Sequence, residues 1–273
     1  MGRPLVSVCM PVYNGARFLE SAIESVLAQT YSDFELRVFD DASTDGSWEL
    51  LQGFRDPRLV LHRNDRNLGP EANWNQALEA ARGTYIKLFH QDDLLAPDCL
   101  ERQVRVLEDH PRAVLAFSRR HIIRPDGRRL LTRGAPWKAG PVSLDAVVRG
   151  CALAGTNVIG EPSAVLFTTA AARQAGGFDG SLPYVIDLDY WFRLLALGDG
   201  CYLDEPLASF RVSPRQWSAT IGWRQGDEFA TFLDRNAGAM RQGGGWLRVW
   251  GKARSHVNGI LRVLVYRFLV GGA

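Results

Sequence analysis

The sequence has few of the features that mark a metal cage, a disulfide framework or a membrane span. Its cysteines lie about fifty or more residues apart and form no C-x-x-C pair: Cys9, Cys99, Cys151 and Cys201. This spacing argues against both a zinc cage and a set of disulfides. No stretch of eighteen uncharged apolar residues occurs, so we expect no spanning helix. The start, "MGRPLVSVCMPVYNG", has no cleavage site, and we expect a cytoplasmic protein without a signal peptide.

Over most of the chain, neither positive nor negative charge is in excess. Lys and Arg total 32 against 30 Asp and Glu, a formal net charge of +2. Charge therefore gives no reason to expect nucleic acid as a partner. The exception is the segment 235–273, which has no carboxylate side chain but several basic ones: Arg235, Arg241, Arg248, Lys252, Arg254, Arg262 and Arg267.

Apolar runs and helical patterns alternate through the first part of the chain. We predict strands at 5–10, 34–40, 58–64, 84–90 and 113–118, and helices within 17–29, 71–81 and 97–110. This alternation predicts an α/β fold with a mostly parallel central sheet flanked by helices. No G-x-G-x-x-G follows the first strand and no P-loop occurs, which argues against a dehydrogenase and against a P-loop enzyme.

The alternation loosens after residue 118, where "RPDGRR" predicts a hairpin turn. Basic side chains surround that turn: Arg119, Arg120, His121, Arg124, Arg128, Arg129 and Arg133. They are typical of a solvated face, and attraction of an anionic acceptor is the alternative.

Polar clusters stand at the ends of four successive predicted strands. They are "PVYNG" (11–15), "DDASTDG" (40–46), "NDRNLG" (64–69) and "HQDD" (90–93). Ligands of open α/β sheets bind outside the carboxyl ends of the strands. Taken singly, each cluster is also compatible with an ordinary turn or helix cap. Taken together, they predict a binding site along one edge of the sheet.

The adjacent Asp92 and Asp93 need a separate explanation. A helix cap requires one acidic residue, whereas two neighbouring carboxylates repel each other. A bound cation offsets this repulsion, and Mg²⁺ or Mn²⁺ takes oxygen ligands from one or two carboxylates and from phosphates. The pair therefore predicts a metal site that holds a diphosphate.

The ordered series "VSVCMPVYNG", "DDASTDG", "NLG" and "HQDD" resembles the family 2 glycosyltransferases, which have the GT-A fold. The segments 160–167, 175–198 and 205–218 resemble the acceptor side of the same family. The resemblance implies inverting, metal-dependent transfer of one hexosyl or deoxyhexosyl group from a nucleotide-diphosphate sugar to an acceptor hydroxyl, in the assembly of cell-surface polysaccharide or glycolipid. The alternative is a catalytically silent nucleotide-sugar binder or scaffold of the same fold.

The resemblance also assigns roles to residues. It implies that Asp93 binds Mg²⁺ or Mn²⁺ and that Asp187 is the general base, with Asp189 as the alternative base. Asp187 is also compatible with a helix N-cap. The residues expected to bind the nucleotide sugar are Pro11, Val12, Tyr13, Asp40, Asp41, Asn67 and Asp92.

The chain departs from the family pattern at three positions. His90 and Gln91 stand where relatives often carry an earlier Asp of the metal motif, which leaves the division of labour between Asp92 and Asp93 open. Ile186 replaces a frequent acidic neighbour of the base. Ser213 replaces a frequent His, whose contact Arg211, Arg215 or Gln216 could take over.

We predict a GT-A domain over 1–220, with a nucleotide-binding half (1–118) and an acceptor-side half (119–220), followed by a helical basic extension (221–273). Two interpretations of the extension stay open. It packs its apolar residues on the domain, or it contacts an anionic membrane at the inner face. The second would suit a lipid-linked rather than a free saccharide acceptor.

Overall fold

The first half of the chain builds one edge of a central sheet. The computed structural model describes residues 4–213, 224–239 and 244–265. Its first elements are β1 (Val6–Val12), α1 (Ala16–Leu27), β2 (Phe34–Asp40), α2 (Ser47–Gly53), β3 (Leu59–Arg63), α3 (Pro70–Glu79) and β4 (Tyr85–Leu88). The strands lie in the order β3-β2-β1-β4 and pair in parallel. The predicted α/β arrangement is thereby confirmed.

The remaining elements extend the sheet and cover it. They are β5 (Leu94–Leu95), α4 (Cys99–Asp109), β6 (Ala113–Ile123), β7 (Arg129–Arg133), β8 (Gly140–Val142), α5 (Leu144–Ala154), β9 (Val165–Thr168), α6 (Thr169–Ala175), α7 (Ile186–Leu195), β10 (Asp199–Arg211), α8 (Arg224–Arg235) and α9 (Gly244–Val265). Beyond β4 the order continues β9-β6-β10-β5, with β7 paired to β6 and β8 to β10. The predicted hairpin at 124–129 is confirmed as the turn between β6 and β7.

The sheet is mixed rather than uniformly parallel. Strand β9 runs antiparallel to both of its neighbours, β4 and β6. It lies between strands from the first 123 residues, although it comes from residues 165–168. The sheet is therefore continuous across residue 118, the predicted border between the two halves.

Burial explains why the first strands lack an alternating pattern. Every residue of β1 and β2 is buried, because helices cover both faces of the sheet. One face packs on α1 through Leu19, Ala22, Ile23 and Val26. The other face packs on α3, α5 and α7. Because helices cover both faces of the sheet, a ligand can approach it at the carboxyl ends of the strands, where the polar clusters lie.

The last helix packs against the domain through small residues. Gly251 lies so close to α5 and α8 that an added Cβ would stand 2.7 Å from Leu233 Cδ1 and 2.9 Å from the Ala152 carbonyl oxygen. The Asn258 side chain donates to the carbonyls of Ala154 and Gly155. Packing of this helix on the domain is thus part of the fold. Over the described residues, we find no helix of the length and apolar character that a membrane span requires.

Candidate active site

The loop after β1 is fixed by contacts from the other strand ends. The Gln91 side chain accepts from Tyr13 N (2.8 Å) and donates to Tyr13 O (3.0 Å). The Ser43 hydroxyl accepts from Asn14 N at 3.0 Å, and Asp45 accepts from Ala16 N at 3.0 Å. Three of the predicted polar clusters are therefore joined at one edge of the sheet.

Among the residues expected to bind nucleotide, Pro11 and Val12 are buried strand residues, whereas the Tyr13 side chain is 47% exposed. Asn67 lies in an exposed loop and its side chain accepts from Gly69 N at 2.9 Å. Tyr13 and Asn67 thus present surface to a ligand at this edge. Pro11 and Val12 contribute backbone in β1.

Asp40 and Asp41 are both buried, but their carboxylates are used differently. Asp41 accepts from Asn64 Nδ2 (2.8 Å), Leu68 N (2.9 Å) and Gly69 N (3.0 Å), so it fixes the loop after β3. Asp40 Oδ2 lies 3.3 Å from Arg63 Nε. Its Oδ1 has no hydrogen-bond partner among the described residues. Asp40 Oδ1 can therefore still accept a hydrogen bond, whereas both carboxylate oxygens of Asp41 already accept hydrogen bonds from the loop after β3.

The acidic pair divides into a buried and a half-buried carboxylate. Asp93 is fully buried: its Oδ2 accepts from Ser163 Oγ at 2.5 Å and its Oδ1 from Arg211 N at 3.0 Å. Burial raises the pKa of Asp93 well above its ordinary value, and the neighbouring charge of Asp92 adds to the rise. Asp92 is half-buried. The geometry favours Asp92 for contact with a ligand and Asp93 for internal support.

The oxygen donors at this point fit a hard divalent cation. No group of three or more His, Cys, Asp and Glu side chains in the described part of the chain could enclose a metal by itself. One or two carboxylates suffice for Mg²⁺ or Mn²⁺ when phosphate oxygens and water supply the other ligands. Asp92 beside Asp93 meets that requirement, whereas a structural zinc site would need a fuller set of ligands.

His90 lies beside the pair in a neutral form. Burial lowers the pKa of His90 to about 4. Its ring packs on Trp74 with centroids 5.1 Å apart, and its Nε2 is buried with no hydrogen-bond partner among the described residues. The chain thus places an uncharged ring next to the acidic pair.

Asp187 lies in the first turn of α7. The helix begins at Ile186 after Val185, so the N-cap interpretation of Asp187 is wrong. Its Oδ2 accepts from Asn157 Nδ2 at 3.1 Å and its Oδ1 from Leu188 N at 2.7 Å. Burial, reinforced by the charge of Glu161, raises the pKa of Asp187 to about 7. A carboxylate that titrates near neutral pH is suited to accept a proton from a hydroxyl.

Asp189, the alternative base, is occupied elsewhere. Its Oδ2 accepts from Arg193 Nε at 2.9 Å, and Arg193 also donates to the Ala175 carbonyl at 2.7 Å. Two residues after Asp187, it lies on a different side of α7 and its charge is neutralised by an ion pair. The contacts favour Asp187 over Asp189 as the base.

Glu161 is a residue of the site that the sequence motifs did not indicate. Its Oε2 lies 2.6 Å from Arg120 Nε, and the Arg120 side chain is only 3% exposed. Burial alone would raise the pKa of Glu161, but Arg120 lowers it below the ordinary value. The signal in the sequence is a single acidic residue within the otherwise uncharged stretch 158–167. Arg120, which we expected on a solvated basic face, is instead buried beside it.

Arg211 fastens the end of β10 to the acidic pair. Its Nε donates to the Asp92 carbonyl at 2.8 Å, and its Nη1 donates to the carbonyls of Arg124 and Pro125. The guanidinium also lies 4.4 Å from the centroid of Phe18. Arg211 is therefore a structural residue here. Ser213 is buried, and Arg215 and Gln216 lie outside the described residues.

The sequence comparisons agree on one family. The pattern described as Glycosyl transferase family 2 matches residues 7–154. An uncharacterized protein of Mycobacterium tuberculosis is 35% identical over 216 residues, 76% of this chain and 66% of that protein. An uncharacterized glycosyltransferase of Rickettsia typhi is 27% identical over 226 residues, 80% of this chain and 67% of that protein. The chain thus matches about two thirds of the length of these relatives.

Two solved structures share the fold. S. aureus TarS in complex with UDP-GlcNAc has a TM-score of 0.65 at 17% identity, with 97% of this chain and 92% of that chain covered. The mannosyltransferase PcManGT from Pyrobaculum calidifontis, in complex with GDP-Man and Mn²⁺, has a TM-score of 0.62 at 17% identity, with 98% and 81% covered. At this identity the likeness concerns the fold, and the predicted GT-A fold is confirmed.

Proposed function

The chain belongs to glycosyltransferase family 2, and from that premise we propose that it transfers one sugar from a nucleotide-diphosphate sugar to an acceptor hydroxyl, with inversion, in the presence of Mg²⁺ or Mn²⁺. The observation that carries the proposal is the placement of two kinds of carboxylate in one site. The acidic pair of half-buried Asp92 and buried Asp93 follows β4, and Asp187, a carboxylate whose pKa is raised to about 7, lies in the first turn of α7. The complexes of TarS with UDP-GlcNAc and of PcManGT with GDP-Man support the donor class.

The donor would bind along the carboxyl edge of β1, β2 and β4. Asp40, with its unpartnered Oδ1, is the proposed acceptor for an N–H group of the base, and Tyr13 and Asn67 border the nucleotide. We assign the cation contact to Asp92 in place of Asp93, because both carboxylate oxygens of Asp93 already accept hydrogen bonds, from Ser163 Oγ and Arg211 N. When bound, the cation supplies charge that stabilises the departing diphosphate.

In the transfer step, Asp187 accepts the proton of the acceptor hydroxyl. The hydroxyl oxygen forms a bond to the anomeric carbon while the bond from that carbon to the diphosphate oxygen breaks. The electron pair of the broken bond leaves with the nucleoside diphosphate. A single displacement from the opposite face inverts the anomeric centre, so one base suffices and no carboxylate nucleophile is required.

We expect nucleotide sugars to raise the unfolding temperature only when the cation is present. A ligand at one hundred times its Kd stabilises the native state by about 2.7 kcal/mol. The measurement is a thermal-shift screen of UDP- and GDP-sugars with Mn²⁺, with Mg²⁺ and with EDTA. Equal shifts with and without EDTA would contradict the metal requirement. A silent binder would show the shift, yet release no nucleoside diphosphate with any acceptor.

We also propose that α9 touches an anionic membrane, which would suit a lipid-linked acceptor in polysaccharide or glycolipid assembly. One side of α9 packs on the domain, and the opposite side exposes an apolar surface, which we call the exposed face: Trp246, Val249, Trp250, Val257, Ile260 and Leu261. On this helix Arg254 is exposed and Arg248 is half-buried, and no carboxylate side chain follows Asp234 in the sequence. Tryptophan and basic residues around an apolar face are typical of helices that lie in a membrane interface.

Replacing Trp246 and Val249 together by Ser should weaken binding to vesicles that contain anionic lipid by roughly tenfold, because these are the two most exposed apolar side chains of the face. The measurement is co-sedimentation at low and high salt. The matched control is Leu131→Ser with Leu197→Ser, two exposed apolar residues elsewhere on the domain. Equal pelleting of all three proteins, or pelleting that does not depend on anionic lipid, would remove the membrane proposal.

A further inference from the structure

A short turn between α5 and β9, residues 157–161, is fastened to the helix that carries the proposed base. Asn157 Nδ2 donates to Asp187 Oδ2 at 3.1 Å, and Trp191 Nε1 donates to the Gly160 carbonyl at 3.2 Å. Within the turn, Gly160 N donates to Asn157 Oδ1 at 3.0 Å. The position of the Asp187 carboxylate therefore depends on this turn as well as on α7.

The turn ends in an ion pair that the structure holds in place. Glu161 is 24% exposed at its side chain, and the Arg120 side chain it contacts is 3% exposed. Gly160 has a φ of +120°, and an added Cβ there would lie 3.0 Å from Arg120 Cζ. Only a glycine allows the guanidinium to pass so close to the backbone. The Glu161 charge is consequently fixed in position rather than carried on a mobile side chain.

Glu161 acts electrostatically on both parts of the site. Its charge contributes to the raised pKa of Asp187 and also to that of Asp93. It acts on His90 as well. The Glu161 carboxylate thus stands within electrostatic range of the acidic pair and of the base.

We propose that Glu161, held by Arg120, is a positioning residue for Asp187: it keeps a fixed negative charge beside the base and, with Asn157, sets the protonation range in which the base works. This inference rests on the proposed function, in which Asp187 accepts the acceptor's proton. In this proposal Glu161 affects transfer by its effect on Asp187 and makes no contact with the sugar.

The other groups around Asp187 act in the opposite direction or are neutral there. Arg120 on β6 lowers its pKa, as do the hydrogen bonds from Asn157 and Leu188. Cys151 on α5 is a protonated thiol, because burial raises its pKa to about 12. On α7 itself, Asp189 is paired with Arg193. Glu161 is thus the acidic group whose removal should change the titration of Asp187 most.

The test is the titration of Asp187 in the full chain, followed by carbon-13 NMR of its carboxyl carbon and assigned by the loss of that signal in Asp187→Asn. Glu161→Gln removes the charge with little change of shape, so the midpoint should fall by roughly half a pH unit or more. Glu161→Asp keeps the charge and should stay closer to the wild type. Asn157→Ala removes a hydrogen bond to the charged form, so the midpoint should rise.

The matched control is Glu205→Gln, which neutralises another Glu that pairs with an arginine, Arg102, on the surface. It should leave the midpoint unchanged. The same variants are then compared by the pH dependence of kcat, where a purely structural role would lower kcat without moving the acidic limb. An unchanged midpoint in folded Glu161→Gln overturns the inference.

The titration does not depend on turnover, which separates this inference from the proposed function. If Asp187→Asn retains activity while Glu161→Gln still moves the Asp187 midpoint, the base assignment fails and the coupling stands. If Glu161→Gln does not fold, the double variant Arg120→Gln with Glu161→Gln replaces it, because it leaves no unpaired charge. Because Arg120 lowers the pKa of Asp187, this double variant is compared with Arg120→Gln alone, and equal Asp187 midpoints in the two proteins would equally refute the coupling.

Discussion

Asp187→Asn should lower kcat by roughly 10² to 10⁴-fold, the usual contribution of a general base. Asparagine keeps the size of the side chain but cannot take the proton of the acceptor hydroxyl. Donor affinity should change little, because Asp187 is held by Asn157 and Leu188 and is assigned no contact with the nucleotide. Steady-state transfer assays and calorimetric titration of the nucleotide measure the two effects separately.

The pH dependence of kcat is a second test of the role of Asp187. Turnover requires the ionised carboxylate, so kcat of the wild type should rise with pH through about 7, the pKa of Asp187. In Asp187→Asn the residual kcat should not show this rise with pH.

The control is Asp189→Asn, which changes the neighbouring carboxylate. Asp189 is paired with Arg193, so its replacement should affect stability more than chemistry. A nearly normal rate in Asp187→Asn together with an inactive Asp189→Asn would show that Asp189 is the base.

Asp92→Asn should remove the metal-dependent part of donor binding and bring transfer below detection. A carboxylate is a far better ligand for Mg²⁺ or Mn²⁺ than an amide, and we expect a loss of at least roughly 100-fold in donor affinity with Mn²⁺ and almost none with EDTA. Binding of the nucleotide sugar with either addition, measured by calorimetry, gives the result directly.

Two control variants distinguish a carboxylate that binds the cation from one that only stabilises the fold. Asp98→Asn changes an acidic residue that pairs with Arg102 on the surface, and it should leave binding intact. Asp93→Asn should mainly lower the unfolding temperature, because the Asp93 carboxylate joins Ser163 to the end of β10. If Asp93→Asn loses the metal response at normal stability while Asp92→Asn keeps it, the assignment expected from the sequence is correct.

The elements predicted from the sequence are those with strong local patterns. The five predicted strands and the helices α1, α3 and α4 occur close to the predicted ranges, since apolar runs and helical periodicity are local properties. The insertion of β9 between β4 and β6 could not be predicted in this way. Its sequence, "VLFT", suits any buried strand, and its two neighbours are set by packing across the sheet.

Within the candidate site, residue types were predictable and their surroundings were not. Adjacent aspartates at the end of a strand indicated a cation, but which of the two is enclosed depends on Ser163 and Arg211, far along the chain. The importance of Glu161 depends on Arg120, which the sequence places in a basic cluster and the fold buries. Long-range contacts of this kind leave no periodic signal.

The contacts around Asp93 also determine when, during synthesis, the acidic pair becomes complete. Its two hydrogen-bond partners lie 70 and 118 positions downstream, at Ser163 and Arg211. Domains emerge from the ribosome at about 5 to 20 residues per second, and contacts across long loops form only after the loop entropy has been overcome. A nascent chain that ends at residue 118 has β1 to β4 but neither group that encloses Asp93. The acidic pair is therefore completed only after β10 has been made, so a prematurely terminated chain exposes an unshielded carboxylate where the finished protein has a site.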